Sequence, residues 1–297
     1  TIEGPHGAYV NLDLRHLGKK KLLERLPQIY EMAMEYQSVD PAEEPIPVLP
    51  AVHYTMGGIE ANSRTGSRLP GLYSVGECSS IGIHGANRLG SNSLTELCVF
   101  GKVAGEEAAA FSKSCQPGNT AALEKIAADI QKRVEATVGN PDGTERVAVL
   151  REEMMKTMEE GCGIYRTGDE MQATMNKLAE LRDRYKRVKV EDTGQAWNTE
   201  RLLALELGYL LEVSEAVVHS AFNRKESRGS HQRIDGYEER DDENFLKHSL
   251  AFYNADGEPR IEYSDVTITK SKPGIRAYGA AGEKAEQDRK NEESGNG

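Results

Sequence analysis

The 297-residue chain has little cysteine, no surplus of basic charge and no long apolar run. Its four cysteines, Cys78, Cys98, Cys115 and Cys162, form no Cys-x-x-Cys pair and no zinc-type spacing. No metal is expected, and reduced structural thiols in a cytosolic compartment are the simpler reading. With 37 basic residues against 48 acidic ones the net charge is -11. That leaves no positive surplus to displace phosphate counterions, so no nucleic-acid partner is expected. No stretch approaches the ~18 apolar residues of a membrane span. The opening Thr-Ile-Glu-Gly-Pro-His has no basic n-region, no apolar h-region and no initiator methionine, so it reads as a processed or partial product without a signal peptide. Also missing are a Gly-x-Gly-x-x-Gly dinucleotide fingerprint, a P-loop, a Gly-x-Ser-x-Gly elbow and a His-Glu-x-x-His zinc motif.

What is present suits a soluble globular protein of about two domains, with 38% hydrophobic and 29% charged residues. A strand is expected over Ala8–Leu14 and a helix over Lys19–Tyr36. Pro41, Pro45, Pro47 and Pro50 then enforce an extended connection. From Ala51 to Phe111 glycines alternate with short apolar runs, and Leu72–Val75 reads as a short buried strand ending at Gly76-Glu77. Beyond Gln116-Pro117-Gly118 the chain turns helical. Helices are expected near 120–138, with Leu123, Ile126, Ile130 and Val134 on one face, and near 145–160, 169–187 and 198–225, a bundle. Ser249–Tyr253 and Arg260–Thr269, separated by Asn254-Ala-Asp-Gly257, read as a hairpin, and residues 280–297 as a disordered tail.

The most informative stretch is His84-Gly-Ala-Asn-Arg-Leu-Gly-Ser-Asn-Ser-Leu-Thr-Glu-Leu97. Ser93 and Glu96 have the spacing of a capping box, which puts a helix start near Ser93. Leu94, Leu97, Cys98, Gly101, Ala104, Gly105 and Ala108 follow on one helical face. Unpaired N–H groups at a helix start favour an electron-rich ligand, and Arg88 just outside adds a donor fork suited to carboxylate or phosphate. The alternatives are a surface salt bridge for Arg88 and capping without a ligand for Ser93. His53, followed closely by Gly57-Gly58, is placed either to donate to a substrate near backbone or to be buried in an ordinary turn. Glu77, at a strand end, is either an acceptor for ribose or ribityl hydroxyls or a solvated loop acid. Two charged clusters, Arg224–Arg233 and Glu238–Glu243, fit a buried ion network, a partner-docking surface or a solvated face equally well.

These motifs resemble the succinate dehydrogenase/fumarate reductase flavoprotein family. The matching pieces are Glu44-Pro-Ile-Pro-Val48, His53-Tyr-Thr-Met-Gly-Gly58, Gly71-Leu-Tyr-Ser-Val-Gly-Glu-Cys78, His84 to Leu94, Glu160-Gly-Cys-Gly-Ile-Tyr-Arg166, Arg224-Lys-Glu-Ser-Arg-Gly229 and Arg240-Asp-Asp-Glu-Asn-Phe-Leu-Lys-His248. The resemblance covers nearly the whole chain, in order, and looks closest to the quinol-dependent, multi-subunit bacterial fumarate reductases. It implies an α/β plus α fold: residues 1–46 as the end of a capping domain, 47–116 as part of a Rossmann-like FAD-binding domain, 117–228 as a helical bundle, and 229–279 as a partner-contacting region with a β-hairpin. It further implies that His53 and Arg88 hold the carboxylates of fumarate or succinate, that Glu77 binds the ribityl or ribose part of FAD, and that Ser93 and Leu94 meet the isoalloxazine.

The family's glycine fingerprint, its covalent flavin attachment site and its proton-donating arginine lie upstream of the matched segment, so the chain looks like the C-terminal half of such a subunit. The isolated chain is expected not to retain FAD. The implied partners are an iron–sulfur subunit and membrane anchor subunits, which place it peripherally on the cytoplasmic face of the inner membrane in anaerobic respiration. Succinate dehydrogenase, L-aspartate oxidase and a non-catalytic fragment that only docks the iron–sulfur partner are the alternatives.

Overall fold

The computed structural model describes residues 2–4, 7–49, 51–116, 118–138, 140–194, 196–255 and 257–270. The expected tail, 280–297, lies outside them. The chain divides into two compact units, Thr1–Ile81 with Arg88–Ser112, and Gly82–Asn87 with Lys113–Gly297.

In the first unit β1 (Ile2–Gly4) and β2 (Gly7–Leu12) form an antiparallel pair, Ile2 opposite Tyr9. The single helix expected over Lys19–Tyr36 is instead two, α1 (Gly18–Arg25) and α2 (Pro27–Gln37). Proline at position 27 pushes its predecessor off helical geometry, and Leu26 sits at φ -135° and ψ 45°. Leu22, Tyr30 and Ala33 are buried, and the Tyr30 hydroxyl donates to Asp40 Oδ1 at 2.6 Å. The proline-rich connection is extended and contributes β3 (Ile46–Val48), an edge strand antiparallel to β2 in the order β1-β2-β3. Pro47 is tolerated there because an edge strand can forgo a donor.

β4 (Ile59–Glu60) pairs in parallel with β5 (Ser79–Ser80). The strand expected over Leu72–Val75 is reduced to a single antiparallel bridge between Gly66 and Tyr73. Its backbone bonds are those of a tight hairpin, Ser74 to Thr65 and Ser67 to Leu72, with Pro70-Gly71 inside the loop, and Leu72 is exposed rather than buried. A 3-10 turn, Gly76–Cys78, then leads into β5. Helix α3 (Asn92–Ser114) closes the unit. Its expected apolar face is not a core face here: Ala104 is buried, whereas Leu94, Leu97, Cys98, Gly101 and Gly105 are exposed. Glu96, on the same helix, is buried instead.

The second unit is helical. α4 (Thr120–Val138) follows the expected boundaries, yet Leu123, Ile126 and Ile130 are exposed. After β6 (Glu145–Arg146) come α5 (Val147–Cys162), β7 (Tyr165–Arg166), α6 (Gly168–Tyr185), β8 (Val188–Lys189) and α7 (Thr199–Asn223). The core sits among α5, α6 and α7, where Leu150, Met154, Met171, Leu178, Leu181, Leu207 and Leu211 recur at helical spacing and are buried. Thr167 caps α6 by accepting from the Glu170 N–H, and Asn198 caps α7 by accepting from the Arg201 N–H at 2.8 Å. Arg184 chelates Glu145 with bonds of 2.9 and 3.0 Å and Glu153 with bonds of 2.7 and 3.0 Å.

Two short parallel pairings, β6 with β8 and β7 with β9 (Gln232–Arg233), brace the bundle. Past the four-residue α8 (Asp242–Phe245), β10 (Lys247–Phe252) and β11 (Arg260–Asp265) form the antiparallel hairpin, Phe252 opposite Arg260. Burial pushes the Cys162 thiol up from its ordinary range, which suits a structural cysteine.

Candidate functional site

Three segments of the first unit converge. The run His53–Gly58 has no regular secondary structure, so its main-chain groups are available to neighbours. The Thr55 N–H donates to Glu77 Oε1 at 3.3 Å. Gly58 adopts φ +145°, and a Cβ there would stand 2.6 Å from the Cys78 carbonyl carbon, so only glycine lets this segment lie against the Gly76–Cys78 turn. Farther along, the Arg88 N–H points to Met56 Sδ at 3.3 Å, and the Arg88 guanidinium lies over the Tyr54 ring, 4.5 Å from its centroid. Tyr54, Thr55 and Met56 thus touch Arg88 and Glu77 from one short stretch beside His53.

The Arg88 side chain is half-buried. Its Nη1 donates to the Leu89 carbonyl at 3.4 Å, while Nε is buried with no hydrogen-bond partner. No ion pair among the described residues involves Arg88. One face of the guanidinium is therefore stacked, one amino group is used, and the Nε edge is unpaired. An unpaired buried donor costs about 1–3 kcal/mol, and an arginine edge fits a carboxylate bidentately. His53 is exposed rather than buried in a turn, and Glu77 is exposed within its 3-10 turn.

Helix α3 begins at Asn92, one residue before the expected start, so Ser93 is in the first turn and not the residue preceding it. Leu94 is 71% exposed on the same turn. The first-turn N–H groups have no partners within the helix, and Leu89, close before that turn in the chain, is also exposed.

In the second unit, the Arg224–Arg233 cluster forms a buried ion network that takes in Asp241 and Asp242 of the other cluster, whereas Glu238, Glu239 and Glu243 are exposed. Glu226 is fully buried and accepts from Arg228 at 2.8 and 2.9 Å and from the Asp241 N–H at 2.9 Å, and it is also paired with Arg224. Arg233, 3% exposed, holds Asp235 at 2.8 and 2.6 Å.

Comparison with known proteins bears on the same segments. The family described as FAD binding domain matches residues 1–94, and that described as Fumarate reductase flavoprotein C-term matches residues 151–278. The fumarate reductase flavoprotein subunit of Proteus vulgaris is 57% identical over 298 aligned positions, covering 100% of this chain and 49% of that protein. Its counterpart in Escherichia coli K12 is 56% identical over 99% of this chain and 49% of its own length. A solved quinol-fumarate reductase with menaquinol superimposes with a TM-score of 0.87 at 57% identity, covering 92% of this chain and 48% of that one. The chain belongs to the succinate dehydrogenase/fumarate reductase flavoprotein family. It spans about half the length of the curated relatives it matches.

Within this family member, Arg88, Glu77 and the residues next to His53 are gathered in one place, and Ser93 and Leu94 stand on the helix that follows. Tyr54 and Met56 are contacts that sequence reasoning missed. Their only local signal is an aromatic and a soft thioether beside the histidine of a glycine-rich run.

Proposed function

We propose that the chain is part of the flavoprotein subunit of a fumarate reductase, and that Arg88 and His53 bind the carboxylates of fumarate or succinate. The observation that carries this reading is Arg88: backed by an aromatic ring, held by its own main-chain N–H, and left with an unpaired guanidinium edge. A substrate carboxylate meeting that edge, after a small rotation of the side chain, would satisfy Nε and fix the dicarboxylate's orientation. The exposed His53 imidazole is available to the second carboxylate. Held at both ends, the alkene would be polarised by two cationic or donor groups.

FAD, when bound, supplies the hydride for this reduction. Glu77 would hold its ribityl or ribose hydroxyls, since its Oε2 makes no hydrogen bond among the described residues while Oε1 is fixed by Thr55. The α3 N-terminus with Ser93 and Leu94 would stabilise negative charge on the flavin ring and cover it with apolar surface. Residues 1–46 then serve as the end of a capping domain, 47–116 as the FAD-binding part, 117–228 as a helical bundle and 229–279 as the region facing partner subunits. No helix among the described residues is long and apolar enough to cross a membrane. Electrons would arrive from an iron–sulfur subunit, with anchor subunits holding the assembly to the cytoplasmic face of the inner membrane.

Replacing Arg88 by alanine in the complete subunit within its complex tests this. Fumarate turnover should fall by at least about a hundredfold while flavin stays bound. Loss of flavin together with activity would make Arg88 structural and overturn the reading. Direction is a second reading: a succinate dehydrogenase flavoprotein subunit of Coxiella burnetii is 42% identical over 84% of this chain. Dominant succinate oxidation with ubiquinone, over fumarate reduction, would replace the reductase assignment.

A further inference from the structure

Arg88 is held at two points by one short run of chain. Its guanidinium stacks on the Tyr54 ring, and its main-chain N–H donates to Met56 Sδ at 3.3 Å. Tyr54 and Met56 stand two residues apart, the spacing at which an extended chain presents side chains to one face. The two contacts do different things. The ring restrains the far end of a flexible side chain, whereas the thioether restrains the backbone from which that side chain projects.

The run that carries Met56 is itself anchored. Thr55 donates its N–H to Glu77 Oε1, Gly58 lies against the Cys78 carbonyl, and Ile59 pairs with Ser79 in the parallel β4–β5 ladder. Beyond Arg88, the Leu89 carbonyl accepts from the N–H and from the side-chain Nδ2 of Asn92, both at 3.3 Å, and Asn92 is the first residue of α3. Arg88 therefore stands between two fixed segments, and its N–H bond to Met56 ties one to the other. All of these residues belong to the first unit.

We infer that Met56 is a positioning residue for Arg88: its thioether fixes the arginine main chain against the segment anchored on the Glu77 turn, so that the guanidinium meets the dicarboxylate in one orientation. This rests on the proposed role of Arg88. A thioether is a weak acceptor, so the effect is modest. Leucine fills nearly the volume of methionine and accepts nothing, which separates the hydrogen bond from packing.

The test uses the full-length subunit in its complex. Met56→Leu should raise the KM for fumarate and the inhibition constant for malonate about two- to threefold, the equivalent of ~0.5 kcal/mol. The kcat per bound flavin and the thermal midpoint should stay at wild-type values, a split that loss of folded protein would not give. Met56→Gln, whose side-chain carbonyl can accept, should return both constants toward wild type. Amide hydrogen exchange in the peptide carrying Arg88 should quicken in Met56→Leu and not in Met56→Gln. An unchanged KM in Met56→Leu, a rise that comes with flavin loss, or a rise that Met56→Gln does not reverse overturns the inference. If Arg88→Lys raises KM but Met56→Leu does not, only the positioning role fails. If Arg88→Lys leaves KM unchanged, the role of Arg88 fails and the positioning role with it.

Discussion

Arg166 donates from Nη1 to Nδ1 of His231 at 2.9 Å, and because a guanidinium cannot accept, that ring nitrogen carries no proton. The remaining proton is on Nε2, donated to the Arg224 carbonyl at 3.0 Å. Burial, reinforced by the nearby Arg166, Arg233 and Arg224 cations, lowers the imidazole from its ordinary 6.5 to about 4.

The pH dependence follows with a definite sign. Below about pH 6.5 the unfolded chain takes up a proton that the folded one refuses, so stability falls as pH drops toward about 4 and is flat above. Between about pH 7.5 and about pH 5 this histidine alone should cost about 2 kcal/mol. His231→Gln keeps an acceptor and a donor without titrating. Its thermal midpoint should therefore decline less than that of the wild type over the same range, and equal declines would exclude the histidine as the source.

Arg184 should be a stability determinant of the helical bundle. Its hydrogen bonds, joined by one from Lys177, hold the Glu153 carboxyl at about 2, below the ordinary carboxylate range, and those of Arg184 lower Glu145 as well. Arg184→Ala leaves two partly buried carboxylates facing each other and should cost about 1–3 kcal/mol, read as a drop in urea midpoint. Arg184→Lys should recover less than half of that, since a point ammonium cannot chelate two carboxylates.

Adjacent glycines should respond unequally. Gly57 sits at φ +99°, and a methyl added there would have nothing within 4 Å, so Gly57→Ala costs only backbone strain of about 1 kcal/mol. Gly58→Ala would in addition drive a methyl into the Cys78 backbone and should cost a further ~1–3 kcal/mol, with flavin retention of the complete subunit falling in parallel. Comparable midpoints for the two variants would show that the Cys78 approach relaxes freely.

On the proposed role of Arg88, Tyr54 in the complete subunit should tune substrate affinity through the arginine that it backs. Tyr54→Leu removes the ring under Arg88, a contact of about 0.5–1 kcal/mol, and should raise the fumarate KM about two- to fivefold. Tyr54→Phe keeps the ring face and should stay near wild type. A large effect of the phenylalanine variant would assign the work to the hydroxyl instead.

Helical periodicity made α5, α6 and α7 legible, because each buries one stripe against the others and the stripe is written locally. The β10–β11 hairpin was legible for the same reason, its turn residues standing between two short apolar runs. Pro27 was a visible stop signal inside the expected Lys19–Tyr36 helix, and the break occurs there. Periodicity alone misled at α3 and α4, since an apolar stripe states that a face can be covered, not that Leu94 or Leu123 is covered. At the site, residue types marked Arg88 and Glu77. The ring beneath Arg88 left only the aromatic beside His53 as a trace and the hydrogen bond from the Ser230 hydroxyl to the Ala86 carbonyl none, because they join segments 32 and more residues apart, as Met56 and Arg88 or Ala86 and Ser230 show.

The Ser230–Ala86 contact spans 144 residues. Closing so long a loop is an entropic cost met only after local helices have formed. During synthesis position 230 must leave the ribosome before the Ala86 carbonyl is gripped, so this contact forms after the helices that lie between the two positions.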